Sequence, residues 1–219
     1  MKLAYLLSLL LFTAAVSFGQ TADDYIQAGR NDEKLGNLDG ALTNYTRALE
    51  LKPDDSDAYF HRGNVEVNSG HFDAAILDYS KAIDLKPDFG MAYCNRASAK
   101  GVKGDLDGAL VDCNKAIELE PDAYVAYDIR GNIKDNEGDR DEAIADYTKA
   151  IDLNTNYAVA YYNRGVSEDK KGDSLDALSD YNKAISLWQG DIKKNPAQKP
   201  QLQKRINEAE EAIGRFIVK

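Results

Sequence analysis

The chain has 219 residues, 43% of them hydrophobic, which is enough apolar material for a packed core and excludes a disordered chain. With 37 Asp plus Glu against 27 Lys plus Arg, the net charge is −10, so non-specific attraction to nucleic acid or to an anionic membrane surface is disfavoured. Two His and two Cys leave little material for a metal or nucleophile site.

In chain order, the first element is a targeting segment. Lys2 supplies a positive start, Leu3 to Val16 is almost wholly apolar, and Ser17-Phe18-Gly19 places small residues where a signal peptidase reads. The apolar run is shorter than the ~20 residues a spanning helix needs. Residues 1–19 therefore read as a cleaved secretory signal. The expectation is a periplasmic or secreted chain starting at Gln20, with no stable membrane insertion after cleavage.

From Ala22 onward the sequence repeats itself. Gly36, Gly70, Gly104, Gly138 and Gly172 are 34 residues apart, and the same step joins Ala41 to Ala177, Ala48 to Ala184, Leu51 to Leu187 and Tyr25 to Tyr161, five times in each column. Pro53, Pro87 and Pro121 punctuate the first three units. The period divides the chain into residues 22–55, 56–89, 90–123, 124–157 and 158–191.

Each unit reads as two helices. In residues 56–89, Ser56 or Asp57 is placed to cap the first helix and Gly70 to end it with positive φ. Asp73 is placed to cap the second, Ala75, Tyr79, Ala82 and Ile83 give it one apolar face, and Pro87 cannot continue it. Gly63, Ala75 and Ala82 allow the two helices to approach closely.

The 34-residue helix-turn-helix period, with this pattern of aromatic, glycine, alanine and proline, resembles the tetratricopeptide repeat family over Ala22 to Asp191. The resemblance implies an all-α fold, a right-handed α-solenoid of five helix pairs. Departures are local: Thr155 and Gln189 replace the proline, Cys113 replaces an aromatic, and Leu175 stands where Asp39, Asp73, Asp107 and Asp141 stand elsewhere, leaving Ser174 as the alternative cap.

Residues 192–219 read as a linker and an end piece. Prolines in Gly190 to Pro200 break the helix, and Leu202, Ile206, Ala209, Ile213 and Phe216 recur at helical spacing from Gln201. Such a helix suits the polar cap that stacked repeats need over their last apolar face.

In the family the first helices line a concave groove that takes peptides or protein segments. Carried onto this chain, the resemblance assigns Phe60, His61, Asn64, Asn95, Ser98, Asp128, Asn132, Tyr162 and Asn163 to that surface. Asn64, Asn95, Asn132 and Asn163 run through four successive units, and a carboxamide both donates to and accepts from a peptide backbone. Arg30 is the only basic residue at these groove positions, against Asp23, Asp57 and Asp128, so a clamp for a terminal carboxylate is not expected and basic segments are favoured.

A further pair of columns looks structural. Arg62, Arg96, Arg130 and Arg164 are each followed sixteen residues later by Asp78, Asp112, Asp146 and Asp180, and the first unit, with Ala28 and Asn44, lacks both. Joint presence and absence predict a bidentate Arg–Asp bridge between the helices of a unit. Cys94 and Cys113 fall in one unit, so a disulfide is permitted. No phosphate loop, metal spacing or nucleophile motif assembles, and no cofactor is implied. The functional expectation is a non-catalytic scaffold binding a peptide or protein segment, with a chaperone-like or regulatory subunit of an envelope or secretion complex as the alternative.

Overall fold

The computed structural model describes residues 20–217, and the signal reading of residues 1–19 lies outside them. The described chain holds eleven α-helices. They are α1 (Ala22–Leu35), α2 (Leu38–Leu51), α3 (Ser56–Asn68), α4 (Phe72–Leu85), α5 (Gly90–Lys103), α6 (Leu106–Leu119), α7 (Tyr124–Glu137), α8 (Arg140–Leu153), α9 (Ala158–Lys171), α10 (Ser174–Lys194) and α11 (Lys199–Ile217), with a 3-10 turn at Pro196–Gln198. Each helix packs against the next, and alternate first helices also touch (α1 with α3, α3 with α5, α5 with α7, α7 with α9), which is the contact pattern of an α-solenoid.

Local chemistry sets the helix ends. Gly36, Gly70, Gly104, Gly138 and Gly172 all have φ between +73° and +95°, the left-handed turn that reverses the chain inside each unit and that a Cβ would strain. The caps differ from expectation. Asp55, not Ser56 or Asp57, caps α3 by accepting from the Ala58 N–H at 2.9 Å. His71 and Asp173 occupy the N-cap positions of α4 and α10 without side-chain cap bonds, so Asp73 and Ser174 lie inside the first turns, where Asp73 meets the positive helix end only through charge. Thr21 and Asp24 close a reciprocal capping box ahead of α1.

Small residues bring the paired helices together. Ala41, Ala75, Ala109, Ala143 and Ala177 have no exposed surface. A Cβ built on Gly29, Gly63 or Gly131 would lie within 2.8 Å of the ring of Tyr45, Tyr79 or Tyr147, so each glycine exists to seat a buried tyrosine. In the third unit both sides change at once: Cys113 replaces the ring and Ala97 the glycine, and the two pack together with Ala109 and Ile133.

The Arg–Asp bridges are present in all four units that carry them, each bidentate, from Arg62 to Asp78 (2.7 and 2.7 Å), Arg96 to Asp112 (2.8 and 2.7 Å), Arg130 to Asp146 (2.8 and 2.7 Å) and Arg164 to Asp180 (2.6 and 2.9 Å). Each guanidinium has a third leg. Its Nη1 reaches back sixteen residues to the second helix of the preceding unit, to Thr46, Ser80, Asn114 and Thr148 at 2.8–3.3 Å. Each also lies 5.4–5.8 Å from the ring of the tyrosine three residues before it. One side chain thus ties three helices. The first unit, with Ala28 and Asn44 at the two bridge positions, bonds Asn44 to Asp32 at 2.7 Å instead.

In the fifth unit α10 runs through Gly190 to Lys194, longer by seven residues than the 14-residue second helices before it. Helix α11 begins at Lys199, three residues before the first periodic position, Leu202, and lies on α10 with Ile206, Ala209 and Ala212 buried around Trp188 and Tyr181.

Candidate functional site

The first helices α1, α3, α5, α7 and α9 carry the residues assigned to the groove, and the structure sorts them into two polar clusters rather than one continuous row. In the first cluster, Tyr79 Oη donates to Asn64 Oδ1 at 2.8 Å, and the same oxygen accepts from Asn95 Nδ2 at 2.8 Å. Asn64 Nδ2 and Asn95 Oδ1 are left without a partner among the described residues, so one donor and one acceptor face the groove from an anchored pair. In the second cluster, Asn163 Nδ2 donates to Asp128 Oδ1 at 2.9 Å, Tyr157 Oη to Asp128 Oδ2 at 3.3 Å, and Asn132 binds the Asp128 carbonyl at 2.9 Å while accepting from Tyr147 Oη at 3.2 Å.

The rest of the predicted set is divided between wall and surface. Asp128 is 4% exposed, and burial pushes its carboxyl up to about 6, against the lowering effect of its Asn163 and Tyr157 donors. It is a structural knot between α7 and α9 rather than an open ligand contact. Phe60 is buried, its ring centroid 4.8 Å from that of Phe89. His61 stacks on Tyr45 at 5.7 Å with Nδ1 3.8 Å from Glu33, and burial, with Arg30 nearby, lowers its pKa. Tyr162 lies half-buried between Tyr181 and Trp188, and Ser98 and Asn132 are exposed.

Three clefts open on this face. One, of about 290 Å³, is lined by Asn64, Val67, Asn68, Tyr79, Asn95 and Ser98. A second, of about 410 Å³, shares Asn95 and is lined also by Phe60, Met91, Cys94, Tyr124 and Val125 and by Glu120, Asp122 and Ala123. The third, of about 430 Å³, lies between Tyr162, Val166 and Asp169 of α9 and Glu208, Glu211 and Arg215 of α11. The sequence reading missed the contribution of the turns after the second helices, since Glu120 and Asp122 lie outside the first helices; their only signal was that Glu120 breaks a column that reads Lys52 and Lys86 in the preceding units.

Cys94 and Cys113 are both free and buried in separate clusters, and burial raises each thiol to about 12, so neither is a reactive thiolate. Among the described residues no group of three His, Cys, Asp or Glu is placed to hold a metal ion, and no helix is long and apolar enough to cross a membrane.

Five helix pairs stacked with nearest-neighbour contacts, their first helices joined by polar bonds such as Asn95 to Asn64 and Asn163 to Asp128, define a helical-repeat solenoid. The comparisons agree with that class. Family models described as TPR repeat match residues 34–68 and 131–172, and models described as tetratricopeptide repeat match residues 56–89, 92–123 and 158–187. The chain belongs to the tetratricopeptide repeat family. Among solved structures it is similar to the MamA protein, at 25% identity over 81% of this chain and 97% of that one with a TM-score of 0.66. It is also similar to YrrB, described as a TPR protein with an unusual peptide-binding site, at 28% identity over 80% and 91% with a TM-score of 0.62. The thermophilic TPR protein TTC0263 of Thermus thermophilus, at 22% identity over 86% and 98% with a TM-score of 0.68, shares the fold. No curated protein matches the chain.

Proposed function

We propose that this chain is a non-catalytic scaffold that holds a peptide or protein segment along its concave face, acting outside the cytoplasm once residues 1–19 are removed. The observation that carries the reading is the pair Asn64–Asn95. Their mutual bond and the Tyr79 hydroxyl fix both carboxamides, and each keeps one group free in the first cleft, with Asn95 also lining the second. A backbone amide in the groove requires one acceptor and one donor, and an anchored carboxamide offers it without the entropy cost of ordering a free side chain. The repeat family and the likeness to a peptide-binding member support the same reading.

Crosslinking and co-purification from the native host test it, with wild type beside an Asn95→Ala and Ser98→Ala double variant. Those two positions are preferred to Asn163, whose loss would strip Asp128 of a donor and unsettle the fold. The scaffold reading expects a partner that crosslinks to α5 and whose recovery falls about tenfold in the double variant, the loss of roughly 1.4 kcal/mol from two polar contacts. Undiminished recovery with unchanged helix content would overturn it.

A further inference from the structure

We propose that the cleft between Phe60, Cys94 and Tyr124 takes the side chain of a lysine or arginine of the bound segment. The assignment rests on the scaffold reading and gives its ligand a chemistry. Three observations meet at this cleft. Its walls are apolar and aromatic, from Phe60, Met91, Cys94, Tyr124 and Val125, which suits the methylene stem of a long basic side chain. Its lining also holds two carboxylates, Glu120 and Asp122, which form no ion pair among the described residues. And one of them lies against the start of α5: a Cβ built on Gly90 would overlap Glu120 Oε1 and lie 2.6 Å from its Cδ, so the carboxylate occupies space that the glycine leaves open.

The repeat supplies an internal comparison. At the position of Glu120 the first two units carry Lys52 and Lys86. Lys52 bonds Asp55 of its own unit at 2.8 Å, and Lys86 lies 4.5 Å from the ring centroid of Phe89, which itself packs on Phe60. In the third unit the sign is reversed and the internal cation is gone. An incoming ammonium or guanidinium would pair with the carboxylate that stands where the preceding units carry a lysine of their own, beside the aromatic walls of the cleft. Asp128, buried and bonded to Asn163 and Tyr157, does not supply this charge; Glu120 and Asp122 do.

The test uses the purified protein and four capped pentapeptides of alanine whose central residue is lysine, arginine, norleucine or glutamate, followed by amide chemical shifts. The expected result is saturable shifts at Met91, Cys94, Tyr124 and Val125 with the lysine and arginine peptides, and binding of the norleucine and glutamate peptides about tenfold weaker. Raising salt to about 1 M should erase most of that preference, since the Debye length falls to about 3 Å. An E120Q/D122N variant should lose the preference and keep its helix content; D122N alone, at an exposed position, should lose part of it. Equal binding of the norleucine peptide, equal binding of the glutamate peptide, or no saturable shift with any peptide overturns the assignment. A partner captured equally by wild type and E120Q/D122N sinks this assignment alone, whereas peptide shifts at the cleft with no partner captured by wild type sink the scaffold reading alone.

Discussion

One residue column shows how the same position is stabilised in one unit and strained in another. In the third and fourth units Lys100 and Lys134 join the Arg–Asp bridge, at 2.8 Å from Asp112 and 2.9 Å from Asp146. The fifth unit has Glu168 there, which is 9% exposed, 3.8 Å from Arg164, and has its Oε2 buried without a hydrogen-bond partner. Burial, then the neighbouring Asp180, raises its carboxyl from an ordinary 4.5 to about 7, with Arg164 pulling the other way. The folded state therefore binds this proton more tightly than the unfolded chain does. The stability it contributes is complete below about pH 4.5 and is lost as pH rises through about 7. Glu168→Gln should leave stability unchanged at pH 4.5 and raise it by about 1 kcal/mol at pH 8, and Glu168→Lys should raise it further at pH 8 by restoring the three-charge arrangement of the units before it. Urea unfolding at the two pH values checks this, and a loss at pH 8 in both variants would contradict the account.

At the scale of helices, packing is a matter of paired sizes, and this decides what sequence reading reaches. The 34-residue columns of Gly36 and Ala41 specify the turns and the close approaches, so the order and pairing of the helices were legible, and so were the Arg–Asp bridges, because both partners vanish together from the first unit. The third leg of each arginine was not, since Thr46, Ser80, Asn114 and Thr148 differ in residue type and share only the ability to accept a hydrogen bond. The residues assigned to the groove lie on the first helices, but a carboxamide's register does not reveal its partner, so the engagement of Asn64 with Asn95 and the burial of Asp128 had no sequence signal. The Ala97–Cys113 exchange was half visible, as a missing aromatic without its compensating methyl. Its test is a swap. Cys113→Tyr alone should cost about 1–3 kcal/mol, because the ring would meet the Ala97 methyl as it meets a Cβ built at Gly63. Adding Ala97→Gly should recover most of that loss, with Ser98 standing where Asn64 and Asn132 accept from their tyrosines. Thermal denaturation of the single and double variants reads the coupling, and additive costs would show that the two sites do not share the space.

For the molecule as a whole, stability is built by neighbours and fails from the ends. Each unit boundary is stitched on one side by an arginine reaching the preceding second helix and on the other by contacts between first helices such as Asn95 to Asn64 and Asn163 to Asp128. Such a stack has no central core that would survive the loss of an end, and an uncovered apolar face invites association. At the C-terminal end that face is made of Tyr181, Ala184 and Trp188, and α11 covers it with Ile206, Ala209 and Ala212, joined by Leu202, Ile213 and Phe216. Arg215 adds a bond to Asp169 across the third cleft at 3.2 Å. Burying one large aliphatic side chain contributes about 1.5–3 kcal/mol, so losing Ile206 together with the cover over Trp188 should cost about 5 kcal/mol. A chain ending at Lys194 should therefore unfold at lower temperature, with red-shifted Trp188 fluorescence, and should associate as its concentration rises when followed by light scattering. Because the coupling runs only between neighbours, amide exchange should quicken most in α9 and α10 and least in α1 and α2. Uniform quickening along the chain would mean that the repeats unfold as one unit and that the end helix holds the whole stack.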